Sequence, residues 1–169
     1  MIRDVLVAIA FTVAIVIAGC SESVFYRADA DAFDAWVESM RRPTEADTVH
    51  AIGAWMRANM KYEDDGIFDY FKPWRRAWWQ TGDCEDFSGV ACEALHRIGY
   101  TDYRLVSVWS ASGRGHTVCS NGIWHVGNWP VKFIGFEGNW PMAAASVYAD
   151  WTMYNVRNID LSLVEKGVR

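Results

Sequence analysis

A chain of 169 residues, 51% of them hydrophobic, has the apolar surface for one domain with a core and too little length for two ordinary ones. Its net charge of −5 comes without a basic stripe able to neutralise phosphates, which argues against a nucleic-acid partner. Ten tryptophans are mostly core builders by type, with a groove for peptide or sugar as the alternative use of some.

The first twenty residues, MIRDVLVAIAFTVAIVIAGC, open on a short polar stretch and continue as an apolar run from Val5 to Ala18. That run falls short of the roughly 20 residues a bilayer span needs and suits the core of a secretory signal. Its end, Ile17-Ala18-Gly19-Cys20, resembles a bacterial lipobox. Small residues there let a peptidase approach the backbone, and the Cys20 thiol takes the lipid. An uncleaved anchor and a buried core segment are the alternatives, since Asp4 cancels Arg3. The organisation expected is a lipoprotein signal peptide over 1–20, a polar tether over 21–30 and a single domain over 31–169. This implies a cell-envelope protein, lipid-anchored at the periplasmic face of the outer or inner membrane; Ser21 after the cysteine favours the outer one in a Gram-negative host.

DADAFDAWVESMRR reads as a helix that Pro43 ends. Thr44 with Asp47 then forms a capping-box variant, and Val49, Ile52, Trp55, Met56 and Met60 recur at helical spacing over 45–60. YEDDGIFDYFKPWRRAWWQTG has no clean period and reads as an ordered aromatic loop. Next, Phe87, Val90, Ala91, Ala94, Leu95 and Ile98 make one continuous apolar face, with Asp83 as N-cap and Gly99 as stop. YRLVSVWS, HTVCS, IWHVGNW and VKFIGF are short β-rich runs separated by turns. The tail from Met142 is mixed, with a short helix around 143–150. The fold class expected is α+β: N-terminal helices, one packed on an antiparallel β-meander.

Cys84 stands at the first position of the Asp83-capped helix. Free N–H groups and the helix dipole there favour a thiolate, and the same amides can donate to an oxyanion beside the sulfur. Asp83, Glu85 and Asp86 oppose another anion, so a histidine must supply the positive charge. His96 is twelve residues along the same helix, about 18 Å away, and cannot reach Cys84. His50 also lies within a helix. If Ser120-Asn121-Gly122 is a three-residue hairpin loop, His116 pairs with Val126 and shares a face with Asn128; a two-residue loop would instead bring His125 to the core. The first register gives a Cys84–His116–Asn128 triad, in which Asn orients the imidazole.

GDCEDFSGVACEALHRIGY followed by GRGHTVCSNGIWHVGNW resembles the bacterial transglutaminase-like cysteine proteinases of the transglutaminase-like, papain-related superfamily. Gly82 to Phe87 match the family's motif residue for residue, and His116 matches in its Gly-His context. Asn128 stands where the family more often has Asp, with Asn139, in the near-repeat EGNWP, as its rival. The resemblance implies a transglutaminase-like core, a Cys-His-Asn thiol peptidase and a protein or peptide substrate. Some members bind calcium through the acidic residues around the nucleophile, which correspond to Asp83, Glu85 and Asp86; helix capping accounts for the same residues. No cofactor is otherwise required.

Cys92 and Cys119 are expected to be buried thiols, with pairing as the alternative in an oxidising compartment. A zinc site from Cys84, Cys92, His116 and Cys119 lacks the usual spacing. The function expected is a membrane-tethered cysteine hydrolase. The alternatives are a transglutaminase-type acyl transferase and a non-catalytic module that keeps the fold to bind peptide or glycan.

Overall fold

The computed structural model describes residues 30–64, 78 and 81–158 of the chain. The expected leader with Cys20, the expected tether before residue 30, most of the aromatic segment before Gly82 and the tail beyond residue 158 lie outside the described residues. Among the described residues, those up to Trp36 and those from Val37 on fall into two compact units. Helix α1 covers residues 30–40, and in the first unit Phe33 and Trp36 bring their ring centroids to 5.2 Å.

In the second unit, α2 (Glu45–Asn59) starts where Thr44 accepts from the Asp47 N–H, as the capping variant predicts, and buries Val49, Ile52 and Met56. Strands β1 (Lys61–Tyr62) and β2 (Thr81–Gly82) pair in parallel, and this brings Tyr62 beside the chain just before Cys84. Helix α3 (Cys84–Ile98) is capped by Asp83 and ends at Gly99, whose φ of 114° suits glycine. Its predicted apolar face is buried, and so are Ser88, Gly89, Cys92 and Glu93. A helix covered on nearly every side is central to its domain.

The chain is α+β. Strands β3 (Arg104–Ser110), β4 (Gly115–Ser120), β5 (Trp124–Val126), β6 (Lys132–Phe133) and β7 (Trp151–Arg157) form one antiparallel sheet in the order β6-β5-β4-β3-β7. The first four make the expected meander. The seven-residue β7 falls in the stretch read as mixed, and helix α4 (Trp140–Ala145) lies a few residues earlier than expected because Asn139 caps it. Among the described residues no helix is long and apolar enough to cross a membrane.

The two sheet faces have different cover. Cys119 is disulfide-bonded to Cys92 of α3, and Thr117 accepts a hydrogen bond from Ser88 of α3 through its carbonyl. On the opposite face Val106, Val108 and Val118 pack with Ala144 of α4 and with Tyr148, Tyr154 and Val156. The thiols expected to stay free are therefore joined.

The β4–β5 register corrects the sequence-based pairing. Ser120 pairs with His125 and Cys119 with Val126, leaving a four-residue connection, 121–124. Turn chemistry sets this: Asn121 Oδ1 accepts from both the Ile123 and Trp124 N–H groups, and Ser120 Oγ accepts from Gly122 N–H. The shift is an odd number of residues, so it exchanges the faces of β5 relative to β4. His116 consequently shares its face with Val118 and His125, and Asn128 is not its same-face neighbour.

Candidate active site

The Gly82–Phe87 motif builds its helix start with little freedom. Asp83 Oδ1 accepts from the Glu85 and Asp86 N–H groups at 3.0 and 3.4 Å, and Asp86 Oδ2 accepts from Asp83 N–H at 3.3 Å. This is a closed capping box with Asp in the return position. Asp86 is fully buried, and its carboxylate occupies the space a side chain at 82 would need: a Cβ there would lie 2.6 Å from Asp86 Oδ2. Glycine at 82 is a packing requirement of the box.

Cys84 stands at the head of α3, on a cavity of about 400 Å³. The walls are Tyr62 and Asp64 from the β1 side, Asp83 and Glu85 from the helix start, and residues of β3, β4 and β7. Among the described residues Cys84 is the free thiol. Burial pushes its pKa up to about 11, with Asp83 and Glu85 adding to the rise; backbone hydrogen bonds from Thr117 and from Cys84 itself pull the other way and do not prevail. The resting group is thus a protonated thiol, opposite to the lowered pKa expected of this helix end. The reason is that the dipole acts on a sulfur taken out of water beside two carboxylates.

Residues 115–117 of β4 form part of the cavity wall, and His116 is among them. Its imidazole does not face the thiol. In the uninterrupted β3–β4 ladder Ser107 opposes Thr117 and Val108 opposes His116. Residues directly opposite share a face. Ser107 and Thr117 join their hydroxyls at 2.9 Å on the Cys84 side, while the His116 ring stacks on Trp129 on the other face, centroids 3.6 Å apart and planes at 21°. Tyr148 stands 6.4 Å from the same ring. Burial pulls His116 down to about 4, so the imidazole is neutral.

The other histidines are placed elsewhere. His96 Nε2 is 2.9 Å from the Tyr103 carbonyl, and exposed His50 meets Trp124 edge-on at 5.4 Å. His125 lines a separate cavity of about 90 Å³ with Trp129 and Lys132, and burial first, then Lys132 and His116, pull it down to about 4. Among the described residues His116 Nε2, His125 Nε2 and Asn128 Oδ1 are buried without hydrogen-bond partners. Asn128 is therefore not bonded to His116 here, and its rival Asn139 is exposed and accepts from Met142 N–H.

The acidic residues compared with a calcium set are engaged otherwise. Asp83 and Asp86 hold the capping box, and Glu85 Oε2 pairs with Arg157 at 3.2 Å. Among the described residues no three His, Cys, Asp or Glu side chains come together to hold a metal ion.

Sequence reasoning did not find Arg157. It lies 72 residues from Glu85 and in a strand that the pattern did not reveal. No protein-family model matches the chain, and no curated protein does. The motif and the cavity it opens are what bear on function.

Proposed function

We propose that the chain is a cysteine hydrolase of the transglutaminase-like, papain-related kind, acting on a protein or peptide of the cell envelope. The observation that supports this is the thiol of Cys84 at the amino end of a buried helix, on a cavity large enough for a peptide side chain and its scissile carbonyl. In the reaction proposed, Cys84 Sγ attacks the carbonyl carbon and its proton passes to an imidazole. The tetrahedral oxyanion is held by the Cys84 N–H at the head of α3, the other first-turn N–H groups being taken by Asp83, and the imidazolium then protonates the leaving amine. Water, deprotonated by the same imidazole, resolves the thioester and restores the thiol. An amine in place of that water would make the enzyme a transglutaminase-type transferase.

His116 is the base in this reading, and Asn128 its orienting partner, in a state where the 115–117 end of β4 rearranges its backbone so that His116 takes the face now held by Thr117. The two buried orphan atoms, His116 Nε2 and Asn128 Oδ1, are complementary in type and would satisfy each other. The Cys92–Cys119 disulfide ties the nucleophile helix to the histidine strand and supports an oxidising compartment. A lipid anchor at Cys20 would hold the enzyme in the envelope; loss of labelled fatty acid in Cys20→Ser is the result expected.

A second reading is favoured by one observation. The imidazole faces away and the thiol is pushed up to about 11, as expected of a non-catalytic module that keeps the fold to bind peptide. The deciding experiment follows acylation of Cys84 by peptide esters and envelope protein extracts with mass spectrometry. The hydrolase reading expects a thioester that turns over, lost in Cys84→Ala and slowed about a hundredfold or more in His116→Ala. Peptide binding retained by Cys84→Ala, with no turnover by the unaltered protein, would establish the module instead.

A further inference from the structure

We infer that the Cys84 cavity carries a carboxylate-binding corner, formed by Arg157 and Asn155 of β7 with Ser107 of β3, and that its ligand presents an acidic group there. The inference concerns the ligand's charge and holds whether that ligand is turned over or only bound. All three residues line the cavity that Cys84 opens on. The β3–β7 register makes Ser107 and Asn155 direct opposites and sets Arg157 two residues along from Asn155, on the same face of the sheet.

The guanidinium is anchored before any ligand arrives. Arg157 Nη2 donates to Glu85 Oε2 and to Ser107 Oγ, each at 3.2 Å. Ser107 is itself held, through its hydroxyl contact with Thr117. A guanidinium has five N–H donors; two are used here, and those on Nη1 and Nε have no partner among the described residues. The side chain is still 46% exposed, so these donors remain open to a ligand. The Asn155 amide is exposed on the same wall.

An anchored guanidinium with open donors on Nε and Nη1, which point to different sides of the group, takes a carboxylate oxygen through a charge-assisted hydrogen bond, and the Asn155 amide on the same wall can donate to the other oxygen. Three carboxylates, Asp64, Asp83 and Glu85, line the same cavity, so the corner selects through the open guanidinium donors and not through net charge. Asp83 is turned into the capping box, and Glu85 engages only the Nη2 side of the guanidinium. Adjacent strands lie about 4.8 Å apart, so the corner on β7 is some 10 Å across the sheet from β4. That separation suits an aspartate or glutamate side chain, or a chain-terminal carboxylate, a residue or so from a carbonyl placed at Cys84.

The test uses the thiol as reporter and needs no substrate. Cys84 of the full chain is alkylated with iodoacetate and iodoacetamide, and with the longer pair 3-iodopropionate and 3-iodopropionamide, at one pH. In every case the thiolate attacks carbon, an S–C bond forms and iodide leaves, so differences in thiol reactivity cancel within each pair. The carboxylate-to-amide rate ratio is expected to fall about tenfold in Arg157→Gln, with the amide rates unchanged, and to recover partly in Arg157→Lys. Glu85→Gln, which removes a carboxylate beside both Cys84 and Arg157, is expected to raise the ratio, and to raise it less in the Arg157→Gln background. Equal ratios in the unaltered protein and Arg157→Gln would overturn the inference. So would a parallel fall of amide and carboxylate rates, because that marks a loosened cavity rather than lost recognition. Neither result bears on whether Cys84 turns over a peptide, which the acylation experiment decides separately.

Discussion

Cys84 is governed by two opposed influences at one helix end, and their balance can be measured. The amides at the head of α3 favour a thiolate, whereas burial and the Asp83 and Glu85 charges favour the thiol and prevail. The rate of Cys84 alkylation should therefore rise with an apparent pKa near 11, well above that of a free thiol. Both carboxylates raise the value, so removing either charge must lower it. Asp83→Asn keeps a good N-cap while removing the charge, and the pKa read from its alkylation profile should move down. A profile unmoved by Asp83→Asn would mean that the Asp83 charge does not act on the sulfur. Gly82 sits behind this arrangement. Gly82→Ala drives a methyl into the Asp86 carboxylate, which is fully buried and closes the box on Asp83 N–H. Urea unfolding should show a loss of about 1–3 kcal/mol, the usual cost of forcing extra volume into a packed site. Much of this was legible in the sequence, because capping depends on residue types a few positions apart. The thiol's actual pKa was not, since it depends on how deep the fold buries the sulfur.

At the scale of elements, α3 was readable from its apolar spacing, whereas β7 was not. Trp151, Tyr154 and Val156 all pack with the core cluster, yet they do not fall on one alternating series. The register of β7 against β3 shifts between Trp109 and Ser110, and this irregularity breaks the period-two pattern that reveals a strand. The β4–β5 register was misread for a related reason: hydrogen bonds from Asn121 and Ser120 within the turn set it, while the strand residues fit either face. A misread register carries directly into the site, because it determines which histidine and which asparagine share a face. The join that holds α3 to β4 is covalent. Cys92 and Cys119 are 27 residues apart, both fully buried, and closing a loop of that length removes chain entropy from the unfolded state. Replacing both by alanine should cost roughly 3–4 kcal/mol in denaturant unfolding on that account. Retention of full stability would show that α3 and β4 are held by packing alone.

For the whole molecule, the side of the sheet away from Cys84 sets a pH limit. His116 and His125 share that face, both are at least nine-tenths buried, and both are held near 4 chiefly by burial. An unfolded histidine has an ordinary value of about 6.5. Between these values the unfolded chain binds more protons than the folded one, so stability falls as the pH drops from about 6.5 towards 4 and is unaffected by these groups above 6.5. Lys132 and His116 beside His125 add to the resistance against charging. His125→Gln retains a polar side chain and removes one titration. Its stability relative to the unaltered protein should therefore be constant above pH 6.5 and improve steadily from there to pH 4, as read by urea midpoints at fixed temperature. His116→Gln should behave likewise, and the double variant should carry the larger change. If the gap between variant and unaltered protein stayed flat across that window, the two imidazoles would have to be reached by water, and the stacked cover of Trp129 over His116 would not be what keeps it neutral.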